Sequence, residues 1–247
     1  MTIGIIYIAT GNYIEFFTDF YNSAEKNFIP EAEKKYFVFT DSDHPYLQKD
    51  NVIHIPQHQE YWPHVILHKF HYILEKQHFY KKIDFFIVFN SNLVFLEKIS
   101  KTEFLPEQKY NWLVGVEHPV QNNQPVNKRP FENRKNSTAY VPEKKRDIYF
   151  QSAILGERTQ EFLQMCDILR DQVEKDYINN IIAVWHYESH VNSYFYNYKY
   201  PKVLSPSYLY PEDYEIHKPK ILMLNKAKNS DRIFLTTENK NGKKIIN

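Results

Sequence analysis

Three polar residues, Asn90-Ser91-Asn92, interrupt the apolar run Ile83-Asp84-Phe85-Phe86-Ile87-Val88-Phe89, which then resumes as Leu93-Val94-Phe95. A short, nearly continuous β-branched and aromatic run reads as a strand buried on both faces, and in α/β sheets ligands gather at the carboxyl ends of such strands. Two carboxylates at the spacing of Asn90 and Asn92 would grip a divalent cation beside a diphosphate. Both positions are amides, which offer a carbonyl dipole where a hard cation prefers charged oxygen. The pattern predicts a ligand site at a strand end that works without Mn²⁺ or Mg²⁺.

A second cluster is Ala183-Val184-Trp185-His186-Tyr187-Glu188-Ser189-His190-Val191-Asn192. A glutamate among aromatics on a helix is, by residue type alone, a salt-bridged surface group, and Trp185 reads as core packing. The functional reading of Glu188 is a carboxylate that stabilises a developing cation or attacks as a nucleophile. His64, His68 and His71 share one helical face at zinc-ligand spacing, but no glutamate stands between them as in a metallohydrolase. Packing of these imidazoles beside the first half of the chain is the favoured reading.

The elements that must position these groups follow from periodicity. Thr2 to Ala9 reads as a strand and Tyr13 to Phe28 as an amphipathic helix. Strands follow at Tyr36 to Thr40 and Asn51 to Ile55, then a helix from Val65 to Tyr80 after a Trp62-Pro63 start signal, then the strand ending at Asn90. This β-α-β-β-α-β order predicts an α/β fold with a Rossmann-like nucleotide-binding half over about residues 1–95, about residues 96–247 being the other half of the same domain. Only 5 glycines and no Gly-x-Gly-x-x-Gly disfavour a nicotinamide or flavin site. Residues 118–147 read as one long loop, Thr159 to Val173 as a helix, Tyr177 to Tyr198 as largely helical, and the lysine-rich segment from Asn225 as a polar tail.

Lys plus Arg number 31 against 30 Asp plus Glu in 247 residues, which argues against a nucleic-acid partner or a strongly anionic surface as the main ligand. One cysteine, Cys166, fits a reducing compartment. Met1 to Ala9 lacks a basic flank and is broken by Gly11, Asn12 and Glu15, so it reads as a strand and not as a leader or a membrane span. The expectation is a soluble cytoplasmic protein; Lys81-Lys82 and Lys144-Lys145-Arg146 are the clusters through which it would touch a membrane peripherally.

Together with Thr2-Ile3-Gly4-Ile5, Tyr36-Phe37-Val38-Phe39-Thr40-Asp41, Ser137-Thr138-Ala139-Tyr140-Val141-Pro142 and Val203-Leu204-Ser205-Pro206-Ser207-Tyr208-Leu209, the Trp-His-Tyr-Glu block resembles family 6 glycosyltransferases. That family contains the blood-group A and B transferases and α-1,3-galactosyltransferase. The likeness is greatest to its short bacterial members, which also carry Asn-x-Asn. The resemblance implies a GT-A-type fold and transfer of galactose or N-acetylgalactosamine from a UDP-sugar, with retention and without a metal. The implied acceptor is a galactoside, as an oligosaccharide or glycolipid, bearing α-1,2-fucose. A weakly catalytic sugar- or nucleotide-binding protein of the same fold is the alternative left open by Asn90, Asn92 and Tyr187.

By the same resemblance, Glu188 faces the anomeric carbon, by double displacement or same-face attack. Ile8, Ala9, Thr10 and Tyr13 cradle uracil and ribose; Asn90, Ser91 and Asn92 lie at the diphosphate. Lys69 and Lys226 offset the charge of departing UDP. Gln151, Ser152 and Ala153 set donor choice, and the alanine leans towards galactose. His118, Glu132, Trp185, His186 and Glu212 are implied at the acceptor. Tyr187 stands where the family usually has an aspartate that holds donor hydroxyls.

Overall fold

A computed structural model describes residues 1–214 and 218–228. Arg232 and the Asn239 to Lys244 run of the expected tail lie outside the described residues. In chain order the strands are β1 (Thr2–Ile8), β2 (Glu33–Thr40), β3 (Val52–Pro56), β4 (Phe85–Phe89), β5 (Leu93–Phe95), β6 (Leu113–Glu117), β7 (Phe150–Arg158), β8 (Lys202–Leu204), β9 (Tyr210–Pro211) and β10 (Ile221–Met223). The helices are α1 (Phe17–Asn27), α2 (His64–Leu67), α3 (Lys69–Glu75), α4 (Lys101–Phe104), α5 (Thr159–Ile178) and α6 (His186–Asn197).

Seven strands form one sheet in the order β3-β2-β1-β4-β7-β6-β8. β3, β2, β1 and β4 run parallel, β7 runs antiparallel to both β4 and β6, and β8 is parallel to β6. This is a mixed α/β architecture of the GT-A-like kind. β1 is central because both its faces are apolar: Ile3, Ile5 and Tyr7 pack with Phe17 and Phe20 of α1, while Ile6 joins Phe37, Phe70 and Phe86 on the opposite face. β2 lies on one side of β1 and β4 on the other, so the chain order reverses between β1 and β4. A crevice must open beyond the carboxyl ends of those two strands.

A second sheet, β5-β10-β9, locks the carboxyl-terminal segment onto the loop after β4. β10 pairs antiparallel with β5, and the Asn92 backbone and side chain hold the next residue: Leu224 N–H donates to Asn92 O (2.8 Å) and Asn92 Nδ2 donates to Leu224 O (2.7 Å). No helix among the described residues is long and apolar enough to cross a membrane.

Four expected elements differ in detail. The Tyr13 to Phe28 helix begins as a 3₁₀ turn over Gly11–Phe16, entered by Gly11 at φ 57°, and becomes α-helical only at Phe17. The Val65 to Tyr80 helix breaks at His68, whose Nδ1 is hydrogen-bonded to Glu60 at 2.7 Å, and it ends in a 3₁₀ turn over Gln77–Phe79. Tyr177 to Tyr198 is not one helix: α5 runs on to Ile178, Asn180 takes the left-handed φ of 56°, and α6 starts afresh at His186. The long loop carries short 3₁₀ turns at Gln121–Asn123, Val126–Lys128 and Glu143–Lys145, and is anchored by a small core of Phe131, Val141 and Tyr149.

Candidate active site

A cavity of about 370 Å³ occupies the crevice. Ile8, Thr10 and Tyr13 line it from the end of β1, and Asn90 and Ser91 from the end of β4. Lys69 enters from α3, Tyr187 from α6, and Lys226 from the segment that follows β10. Residues far apart in the chain are thus gathered at the point the strand order dictates. The segment after β1 is fixed by Asp41, which accepts from Gly11 N–H (2.6 Å) and Gln59 N–H (3.2 Å).

The structure does not bring every donor-side residue to the wall. Ala9 is buried and tied to β2 through Phe39 O (2.9 Å). Ala153 is buried behind Asn90, whose N–H donates to its carbonyl at 2.9 Å. Asn92 and Gln151 are buried against the Met223-Leu224 segment, and Asn92 Oδ1 and Gln151 Oε1 have no hydrogen-bond partner among the described residues. Gln59, Trp62, Val65 and Ile66 line the cavity and were missed, because Trp62-Pro63 signals only a helix start in sequence.

Glu188 sits in the first turn of α6, half-buried, with both carboxylate oxygens engaged. Oε1 accepts from the Tyr149 hydroxyl (3.1 Å); Oε2 accepts from Ser152 N–H (3.0 Å) and the Ser152 hydroxyl (2.9 Å). Burial pushes its pKa up, while the Ser152 and Tyr149 hydrogen bonds and the Lys69 charge pull it back; burial prevails. The scaffold that fixes this geometry is Asn192, one turn along α6, which accepts from Phe150 N–H and donates to Phe150 O (both 2.9 Å), riveting the helix to β7. Tyr149 was not singled out in the sequence, where it is one of 20 tyrosines with no local pattern to mark it.

Tyr187, beside Glu188, is buried, and its hydroxyl lies 3.4 Å from Ser152 O. Lys69 Nζ sits 4.0 Å from the centre of the Tyr187 ring, and Lys226 Nζ 4.7 Å from that of Tyr13. Both cavity cations therefore face aromatic rings.

On the acceptor side, Trp185 is half-exposed and its backbone N–H donates to Ser189 Oγ (3.0 Å). His186, at φ 51°, packs its ring 4.9 Å from that of Trp62, and burial lowers its pKa. His118 stacks near Tyr149, with ring centres 5.9 Å apart; its Nδ1 accepts from Val120 and Gln121 N–H groups, and burial lowers its pKa to about 4. Glu132 is 2% exposed; it accepts from Arg134 at 2.6 Å and from Val184 N–H at 3.0 Å, next to Trp185. Glu212 accepts from Asn225 N–H (2.7 Å) and so braces the segment that carries Lys226. The histidine face stands apart: His68 is bonded to Glu60, and His71 to Glu174 at 3.0 Å.

A crevice at the strand-order reversal, basic and polar at its strand ends, with a half-buried carboxylate on the adjoining helix, fits a ligand-binding protein of GT-A-like fold. The profile of glycosyltransferase family 6 matches residues 1–234, and the chain belongs to that family. It is 38% identical over 232 residues to the O-antigen biosynthesis glycosyltransferase WbnI of Escherichia coli, covering 93% of this chain and 97% of that one. It is 28% identical over 235 residues to globoside α-1,3-N-acetylgalactosaminyltransferase 1 of Gallus gallus (91% and 66% covered). It is also 28% identical over 219 residues to histo-blood group ABO system transferase 2 of Rattus norvegicus (85% and 64% covered). The chain thus spans nearly all of the bacterial relative and about two-thirds of the animal ones.

Proposed function

We propose that the chain transfers galactose or N-acetylgalactosamine from a UDP-sugar to a galactoside, forming an α-1,3 link with retention and without a divalent cation, in the bacterial cytoplasm. Glu188 carries the reading. Its carboxylate is oriented by three hydrogen bonds and follows Tyr187 of the cavity wall in sequence; reached by the donor sugar, it would stabilise an oxocarbenium-like centre or attack it. UDP would lie along the ends of β1 and β4, its diphosphate near Asn90, Ser91, Lys69 and Lys226. The sugar would extend towards Glu188, and Trp185, His186 and His118 would meet the acceptor. The names of the relatives support the α-1,3 link and a surface-glycan product.

The donor set at the strand end does not fit a hard divalent cation. Asn90 and Asn92 carry no charge, and Asn92, its Nδ2 given to Leu224 O, is buried away from the cavity wall. Charge on departing UDP then falls to the two lysines. Ala153, buried behind Asn90, would favour galactose over its N-acetylated analogue through the wall residues it supports, with about 1–3 kcal/mol as the ceiling set by the cost of one pocket group. The test is UDP release from UDP-galactose and, separately, UDP-N-acetylgalactosamine with 2′-fucosyllactose, in EDTA and then with Mn²⁺. Acceptor-dependent turnover in EDTA with faster use of UDP-galactose is the expected result. No turnover with either donor in either buffer, while UDP still binds, would point to another acceptor or to a binding protein of this fold.

A further inference from the structure

Lys69 is 8% exposed, yet among the described residues it forms no ion pair. A nearly buried ammonium ordinarily needs a charged or strongly polar partner. What it has is the face of Tyr187, 4.0 Å from Nζ to the ring centre, on the wall of the cavity. Tyr187 is itself held: its ring packs edge-on to Phe70 (6.3 Å between centres), and it is 9% exposed. A ring face attracts a cation through its quadrupole without cancelling the charge, as a carboxylate would. The ammonium so held has no ion pair among the described residues, and the carboxylate whose field it shares, Glu188, lies beyond ion-pair distance, its oxygens engaged by Tyr149 and Ser152.

We propose that Tyr187 is a positioning residue: its ring face fixes the Lys69 ammonium in the cavity unneutralised, so that it meets the diphosphate of the donor where a metal ion is not used. This rests on the UDP-sugar reading above. The same residue links that cation to the reacting carboxylate, because its hydroxyl lies 3.4 Å from Ser152 O, and Ser152 donates twice to Glu188. An aspartate at position 187 would pair with Lys69 and quench it.

The experiment is calorimetric titration of UDP, with uridine as the uncharged control, into the parent, Tyr187→Phe, Tyr187→Leu, Tyr187→Asp, Lys69→Met and the Lys69→Met/Tyr187→Leu double variant, at low and moderate salt. Tyr187→Leu should bind UDP about tenfold more weakly, the loss of one desolvated cation–π contact, while Tyr187→Phe recovers most of the affinity. Tyr187→Asp should weaken UDP at least as much and flatten its salt dependence. Uridine affinity should stay level throughout, which a merely structural role for the ring would not predict. In the Lys69→Met background, Tyr187→Leu should cost nothing further. Equal weakening by Phe and Leu, or a full Leu effect without Lys69, would overturn the proposal. Parental UDP affinity in Tyr187→Leu would overturn it alone, whereas a parent that binds no UDP would remove it together with the UDP-sugar reading.

Discussion

Glutamine at position 188 is the sharpest perturbation of the candidate site, because the structure indicates how it would be accommodated. Its carbonyl oxygen can keep the Ser152 N–H and hydroxyl now given to Oε2, and its amide can donate to the Tyr149 hydroxyl, which turns to accept. Hydrogen bonds to a charged group contribute about 1.5–3 kcal/mol each and neutral ones about 0.5–1.5 kcal/mol, so the network weakens without leaving a buried donor unmet. Burial of the ionised carboxyl opposes that loss. Its pKa is raised in the folded state, so its contribution to stability is fully present below about pH 4.3, the ordinary glutamate value, and declines as pH rises through the folded value. Glu188→Gln should therefore melt no lower than the parent at pH 7, and its advantage should shrink towards pH 4.

Turnover should behave oppositely. Removing one preorganised electrostatic group from a transition state costs roughly 10²–10³ in rate, and loss of a reacting carboxylate at least that much. UDP affinity should change little, since Glu188 faces the sugar in the proposed pose. The parent's kcat should fall on the acid side with an apparent pKa above the usual glutamate range, as protonation removes the required anion. UDP release over pH 4 to 9, with thermal melts at each pH, reads both limbs. Unchanged kcat in the glutamine variant, or an acid limb that survives in its residual activity, would refute the assignment of Glu188.

Three further outcomes follow from buried groups. Glu157 is fully buried against Lys199 (2.8 Å), and burial raises its pKa to about 7, so the parent should lose stability as pH rises from about 4.3 through 7, and Glu157→Gln should flatten that slope in pH-dependent melts. Glu132 behaves inversely: its partners lower it to about 2, so its stabilisation is present above about pH 4.3 and lost as pH falls towards 2; Glu132→Ala should destabilise by about 1–3 kcal/mol at pH 7 and raise the acceptor KM but not the donor KM. Asn92→Asp would set a carboxylate against Leu224 O in place of a donor at 2.7 Å, lowering stability by about 1–3 kcal/mol and raising the donor KM through the segment that carries Lys226, as urea denaturation and donor kinetics would register.

The strand ending at Asn90 was legible because a core strand buried on both faces has a local signature, and its carboxyl end marks a site for any α/β sheet. Helix limits were less so. The break at His68 depends on Glu60, and the stop at Ile178 on the backbone turn at Asn180, neither of which changes the apolar period. Glu132 illustrates the deeper limit: a carboxylate in a polar loop reads as solvated, but Arg134 and the Val184 N–H enclose it. Tyr149 and the Lys69–Tyr187 contact were invisible because both arise from the docking of α6 against β7 and α3, a tertiary event with no spacing to betray it.

The amides at 90 and 92 and the rings under the lysines answer a single electrostatic problem. In the proposed metal-free reading, the cations of the crevice would hold the diphosphate, and any fixed carboxylate among them would compete for the same charge. An aspartate at 90, on the wall of the cavity that Lys69 and Lys226 also line, would compete with an incoming donor for their charge. Amides cannot do so, and the faces of Tyr187 and Tyr13 hold the two ammonium groups without neutralising them. The one carboxylate retained, Glu188, is occupied instead by hydroxyl and amide donors from Tyr149 and Ser152. In the proposed pose its negative charge would face the sugar while the positive charge of the crevice faces the leaving group, the separation that departure of an anion from a forming cation requires.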